Sequence, residues 1–237
     1  MDINKKIAIV TGASSGLGAA LSTSLIKKGA KVYGLARNLN SLLVIQKKLG
    51  ANFFPVQLDI TDQKALALWV ENNFSDNHAP DILINNAGMG YFSKIDALSI
   101  EHWHNMVNTN LNGVFYITSK IVPLMKKNKG TSHIINIGSI LGKTTTAESA
   151  AYAATKYAMQ GFSEALFKEL RADKIKVTCV NPGSMNTDFF EHSGIVPNDN
   201  MLQPKDVADL ITHIIETPDN FLIDEITLRP LIPLSAK

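Results

Sequence analysis

A single cysteine, Cys179, stands among 237 residues. One thiol excludes an internal disulfide and a multi-cysteine metal centre. Neither sign of charge dominates, since 23 basic and 21 acidic side chains leave a formal net charge of +2. That balance does not suit a protein drawn to nucleic acid or to an anionic membrane by its charge. No apolar run approaches the ~20 residues a membrane helix needs. Met1-Asp2-Ile3-Asn4-Lys5-Lys6 leads straight into a strand-like segment without the apolar stretch of a signal peptide, so the expected compartment is the cytoplasm. Repeats, low-complexity tracts and linkers are missing as well. What is present is an ordinary globular composition, 45% hydrophobic and 19% charged. A chain of this length can bury roughly 70–75% of its unfolded surface around one core.

Short apolar runs of strand character alternate with helical patterns along nearly the whole length. The strand candidates are Lys6–Val10, Lys31–Leu35, Asn52–Leu58, Asp81–Asn85, His133–Ile137, Lys176–Val180 and Phe221–Thr227. Most are continuously apolar, as parallel strands buried on both faces are. Gly29 and Gly50 stand where the first two helices should close, and Thr61 and Ser99 stand where N-caps belong. Pro204 falls in the first turn of a late helix carrying Val207, Ala208, Leu210, Ile211, Ile214 and Ile215. Repeated strand–helix alternation predicts an α/β fold: a doubly wound parallel sheet (Rossmann fold) of about seven strands, in a single domain over 1–237. The stretch from about 184 to 203 has no clear period and is expected to form a substrate loop long enough to act as a lid.

Directly after the first strand comes Thr11-Gly12-Ala13-Ser14-Ser15-Gly16-Leu17-Gly18, and then a helix. Glycines at 12, 16 and 18 allow a tight turn and let a pyrophosphate approach the helix N-terminus, where free N–H groups and the helix dipole favour an anion. Between a first strand and a first helix, such a loop points to a dinucleotide. The choice of coenzyme falls to the end of the second strand, where a carboxylate would bind the ribose 2′-hydroxyl of NAD and an arginine the 2′-phosphate of NADP. The chain reads Leu35-Ala36-Arg37-Asn38 there. With no carboxylate and one guanidinium, NADP(H) is preferred over NAD(H).

Tyr152 and Lys156 open a helical run from Tyr152 to Leu170. Four residues span about 6 Å of rise and nearly one turn, so both side chains share a face. A phenol with a pKa near 10 is a poor base at neutral pH, and an ammonium beside it would favour the phenolate. Tyr116 and Lys120 have the same spacing, but only Tyr152 follows a strand ending in Gly138-Ser139, with Ser139 thirteen residues upstream. Tyr116, among Phe115, Ile117 and Ile121 in a helix between Asn112 and Pro123, reads as packing. His102 and His104 point to different sides of a helix, and no metal site is assigned to them or elsewhere. Cys179 reads as a buried small hydrophobe. Lys126, Lys127 and Lys129 suit a helix C-terminus, and Lys143 reads as a solvated lysine. The segments Met89–Ser93, Leu141–Ala150 and Met185–Asn200 should border a pocket. Their Met89, Tyr91, Phe92, Leu141, Met185, Phe189, Phe190, Ile195 and Val196 make an apolar wall suited to a neutral aldehyde or ketone of moderate size.

Thr11-Gly12-x-x-x-Gly16-x-Gly18, Asn85-Asn86-Ala87-Gly88, Asn110, Ser139, Tyr152-x-x-x-Lys156 and Asn181-Pro182-Gly183, in this order over most of the chain, resemble the compact members of the short-chain dehydrogenase/reductase family. The resemblance implies a hydride transfer between NADP(H) and a carbonyl or alcohol. It assigns proton transfer at the substrate oxygen to Tyr152. Lys156 would lower the pKa of that phenol and hold the nicotinamide ribose, Ser139 would orient the carbonyl, and Asn110 would hold a proton-relaying water. Gly12, Ser14, Ser15, Gly16, Leu17 and Gly18 would cradle the phosphates. Asp59, followed by Ile60, would contact adenine, while Asn86, Ala87 and Gly88 would line the adenosine side and brace the sheet. Pro182, Gly183 and Thr187 would frame the nicotinamide. The resemblance also implies a homodimer or homotetramer joined through helices near 105–126 and 152–170. Two other readings stand beside it: an NAD-linked alcohol dehydrogenase working oxidatively, and a binding module that senses a dinucleotide without turnover.

Overall fold

A computed structural model describes residues 1–190, 198 and 200–232, with only the backbone of Phe190. In chain order the elements are β1 Ile7–Thr11, α1 Gly16–Lys27, β2 Lys31–Ala36, α2 Leu39–Leu49, β3 Phe53–Gln57, α3 Gln63–Asn73 and β4 Ile82–Asn85. They continue as α4 Ile100–Val107, α5 Gly113–Met125, β5 Ser132–Ile137, α6 Ala150–Leu170, β6 Ile175–Pro182, α7 Pro204–Glu216 and β7 Glu225–Leu228. The strands form one seven-stranded sheet in the order β3-β2-β1-β4-β5-β6-β7. Every neighbouring pair is parallel. After β1 the chain winds outward to β2 and β3, then crosses back to lay β4 on the other side of β1. The crevice above the carboxyl ends of β1 and β4 is therefore the switch point at which such sheets bind ligands.

Alternation along each strand splits the core into two layers. Ala8 and Val10 of β1 face one side, with Leu17, Leu21 and Leu25 of α1 and Val207, Ala208, Ile211 and Ile215 of α7. Ile9 faces the other side, with Leu66 and Val70 of α3, Ile117, Ile121 and Met125 of α5, and Leu166 and Leu170 of α6. Helices α4 and α5 are joined by a widened turn over Asn108–Asn112. Helix α5 runs on through Pro123 to Met125; Pro123 and Ser119 are on the exposed face, so the carbonyl that loses its partner is open to solvent and not buried. Tyr116 packs against the second core layer. Among the described residues no helix is long and apolar enough to cross a membrane.

Two boundaries differ from the sequence expectation. Asp62 caps α3 in place of Thr61, its carboxylate accepting from the N–H groups of Lys64 and Ala65, while the Thr61 hydroxyl donates to Asp59. Ser99 does cap α4. The last strand begins at Glu225, not Phe221. Lys176 draws the preceding carbonyls into a turn, donating to Pro218 O at 2.6 Å and Phe221 O at 2.7 Å, which takes the Phe221 carbonyl out of any ladder.

Candidate active site

The site begins where β1 runs into α1. Gly12 and Gly16 adopt positive φ angles of 66° and 50°, the left-handed region that favours glycine. A Cβ on Gly18 would stand 2.1 Å from Gly12 O, so α1 can pack onto the loop only without one. Thr11 ties this turn to the segment after β4: its hydroxyl oxygen accepts the N–H groups of Asn86 at 3.0 Å and Ala87 at 2.9 Å. Asn86 Nδ2 returns a bond to Thr11 O at 2.9 Å. Asn85 is buried and donates to Thr118 Oγ1 and Asn136 Oδ1, which braces the sheet from within. Ser15 precedes α1 with extended backbone and makes no side-chain cap bond. The first-turn N–H groups are therefore left for an outside acceptor.

A cavity of about 850 Å³ opens above this turn, within the range of small-molecule sites. Gly12, Ser14, Ser15, Gly16 and Leu17 form one stretch of its wall. Arg37, Asp59 and Ile60 lie at the β2 and β3 edge, and Asn86, Ala87 and Gly88 line it after β4. Ser139, Tyr152 and Lys156 stand on the far side, with Pro182 at the end of β6 and Gly183 and Thr187 beyond it. Arg37 is exposed, and none of the described ion pairs involves its guanidinium. Asp59 is held by Thr61, whose N–H and hydroxyl both donate to its Oδ1. A Cβ on Gly16 would approach Thr187 Cγ2 at 3.1 Å, which places the segment after β6 against the phosphate-type loop. A glycine cradle and an uncapped helix N-terminus fit the phosphates of a dinucleotide, with a guanidinium at the same end.

Two of the expected residues lie behind the wall. Gly18 is packed under the loop. Asn110 is 1% exposed, and its amide is spent: Oδ1 accepts Met89 N–H at 2.9 Å, and Nδ2 donates to Met89 O at 2.9 Å and Thr155 Oγ1 at 3.0 Å. Its side chain thus sets the backbone of Met89, which does line the cavity.

The electrostatics of the reactive end are decided by burial. Lys156 is 6% exposed and its ammonium donates to Ile137 O at 2.9 Å. Desolvation lowers its pKa to about 8, with a small upward influence from Cys179. Burial pushes the Tyr152 phenol well up, and a hydrogen bond with Ser139 pulls it partly back. The ammonium sits 5.6 Å from the centroid of the Tyr152 ring. The sequence spacing predicts an ammonium beside the phenol, and the shared helix face is present; the ammonium itself donates to a β5 carbonyl. Ser139 Oγ accepts Leu141 N–H at 3.1 Å, which leaves the hydroxyl proton to donate towards Tyr152.

Around Tyr152 the wall is apolar. Phe92 and Phe189 tilt against its ring at 5.3 and 5.7 Å between centroids, and Met89 and Leu141 complete the group. Ile195 and Val196, expected in this wall, and the side chain of Phe190 lie outside the described residues. The two ends of the 184–203 stretch are pinned to each other, Asn186 N–H donating to Leu202 O and Leu202 N–H to Ser184 O. Lys143 pairs with Glu225 at 2.5 Å and does not line the cavity. His102 stacks on Tyr91 at 3.8 Å, and among the described residues no group of three or more His, Cys, Asp or Glu could hold a metal ion. Thr109, Glu148 and Asp188 also line the cavity, with no signal in the sequence that singles them out.

A family model described as short chain dehydrogenase matches residues 6–195. An uncharacterized oxidoreductase of Staphylococcus haemolyticus is 34% identical over 231 residues, 97% of this chain and 99% of that protein. Among solved structures, the closed form of serine dehydrogenase complexed with NADP+ superposes with a TM-score of 0.87 at 30% identity, covering 93% of each chain. The 3-ketoacyl-(acyl-carrier-protein) reductase from Brucella melitensis complexed with NADH gives 0.86 at 26% identity, covering 96% of this chain and 97% of that one.

Proposed function

The chain belongs to the short-chain dehydrogenase family, and from that premise we propose that it reduces a carbonyl compound to an alcohol with NADPH. The observation that carries the reading is one continuous cavity, with a phosphate-type cradle and a free guanidinium at one end and Ser139, Tyr152 and Lys156 at the other. NADPH, when bound, supplies the hydride. Gly12 and Ser14 to Leu17 bind its phosphates, Arg37 its 2′-phosphate, and Asp59 with Ile60 and Asn86 to Gly88 the adenosine. Pro182, Gly183 and Thr187 border the nicotinamide. The Ser139 hydroxyl donates a hydrogen bond to the substrate oxygen and fixes its direction. Tyr152, kept protonated by burial, transfers its proton to that same oxygen as negative charge develops there. Lys156, clasped by Ile137 O, presents its remaining N–H bonds to the ribose. Asn110 shapes the site through Met89.

The apolar wall of Met89, Phe92, Leu141 and Phe189 favours an uncharged carbonyl of moderate size. Exposed Ile100, Trp103, Phe115 and Tyr157 on α4, α5 and α6 support pairing of two copies through these helices, as a dimer or within a tetramer. An NAD-linked alcohol dehydrogenase is the second reading, its coenzyme favoured by the NADH held in one of the similar structures.

The test is loss of the reduced coenzyme's own near-ultraviolet absorbance against a panel of aldehydes, ketones and diketones, with NADPH and NADH in parallel and a Tyr152→Phe control. Turnover with NADPH that disappears in the control is expected. Absence of binding by either coenzyme would refute the reading.

A further inference from the structure

Building on the reading of Ser139 as the hydroxyl that orients the substrate, we propose that Asn181 and Gln160 are positioning residues that set Ser139 against Tyr152. Asn181 is fully buried on β6 and is not part of the cavity wall. Its Oδ1 accepts the N–H of Ser139 at 3.2 Å and a short bond from Gln160 Nε2, with Cys179 Sγ at 3.6 Å. The orientation of this amide is imposed: a backbone N–H can only donate, so the oxygen must face Ser139, and Nδ2 is left buried without a partner. Gln160 lies one turn beyond Lys156 on α6. A single carboxamide oxygen therefore joins the turn that carries Ser139 to the helix that carries Tyr152 and Lys156.

The fit around this tie is close. A Cβ on Gly138 would fall 2.1 Å from Asn181 Oδ1, and one on Gly142 would fall 2.6 Å from Lys156 O. The turn is thus seated directly on β6 and α6, and it is anchored at its end by the Lys143–Glu225 pair. Without the Asn181 oxygen, the Ser139 N–H loses its acceptor and the turn is free to shift. Displacements of about 1 Å at such a group can cost on the order of a hundredfold in rate.

The experiment uses the full chain with Asn181→Ala, Asn181→Asp and Gln160→Leu, each also in a Ser139→Ala background. Asn181→Ala should lower kcat for carbonyl reduction roughly ten- to a hundredfold, with the KM for NADPH within about twofold. Asn181→Asp keeps acceptor oxygens and should recover most of the loss. In the Ser139→Ala background, Asn181→Ala should cost nothing further, because its effect runs through Ser139. An equal fold-loss in both backgrounds overturns the proposal. Amide hydrogen exchange provides a readout independent of turnover: Ser139 N–H should exchange faster in Asn181→Ala, and unchanged protection overturns the tie. If Ser139→Ala alone leaves kcat intact, the functional reading of Ser139 fails, and the exchange result still decides the tie. Should Asn181→Ala not fold, Gln160→Leu removes one donor from the same oxygen and carries the same tests, with a smaller expected loss.

Discussion

Replacing the buried lysine of the site with a neutral chain of similar length should make the protein more stable. Lys156 is held among the sheet and α6, where desolvation brings its pKa from 10.5 to about 8. At roughly 1.4 kcal/mol per pH unit, that lowering means about 3 kcal/mol of unfavourable burial of the ammonium at neutral pH. Lys156→Met removes this cost but strands Ile137 O, which now accepts the ammonium at 2.9 Å, and a lost bond of this kind costs about 1 kcal/mol. The net gain is about 2 kcal/mol, or a rise in Tm of roughly 4–8 °C for a domain of this size. The pH dependence has a definite sign. Between about pH 8 and 10.5 the unfolded chain binds more protons at this lysine than the native protein does, so wild type gains stability as pH rises and the variant does not. The advantage of the variant should therefore be largest below about pH 8 and shrink towards pH 9.5. Cys179, pushed up by burial and pulled partly back by Lys156, titrates in the opposite sense, so both proteins are compared in a Cys179→Ala background. Urea unfolding of both proteins across this range measures the difference. A variant less stable than wild type at neutral pH, or a gap that does not change with pH, would refute the reasoning.

Arg37→Ala should weaken NADP+ binding about tenfold while leaving NAD+ within about twofold, since only the former has a phosphate for the guanidinium; equal losses in paired titrations would remove the basis for the coenzyme preference. Thr11→Val keeps the shape but takes the acceptor from two N–H groups, and should cost about 1–3 kcal/mol in urea unfolding, with Thr11→Ser close to wild type. Buried His133 has its pKa lowered to about 3, chiefly by desolvation. Native protein therefore binds fewer protons than unfolded chain below about pH 6.5, and about 2 kcal/mol of stability should be lost by pH 5. In His133→Gln, which still donates to Thr178, this acid limb should flatten; an unchanged limb would place the acid sensitivity elsewhere.

Much of this molecule was legible without coordinates because the signals were local. Continuous apolar runs mark strands buried on both faces, and the positions of six of the seven are close to expectation. The glycine loop announces itself because a tight turn needs residues free of Cβ. Tyr152 and Lys156 share a face by helical geometry alone, and Gly138-Ser139 ends a strand where ligands bind. The misses have a common origin. The composition around Phe221 reads as strand, but Lys176, distant in sequence, claims its carbonyl. Thr61 was as good a cap as its neighbour until Asp59 took its hydroxyl. Gln160 carries no mark in the sequence, because only the fold brings Asn181 to it.

By itself, then, the sequence determined the alternation of elements, the sheet they build, the phosphate-type loop and the pairing of a phenol with a lysine, since each follows from spacing within a few residues. The tertiary structure alone decided which partner each buried polar group takes. It gave the Lys156 ammonium to Ile137 O, turned the Asn110 amide onto Met89, and aimed one oxygen of Asn181 at Ser139 and Gln160. A buried donor or acceptor must be satisfied, and several candidates compete for it. Only the packing of distant segments brings one of them within hydrogen-bond distance.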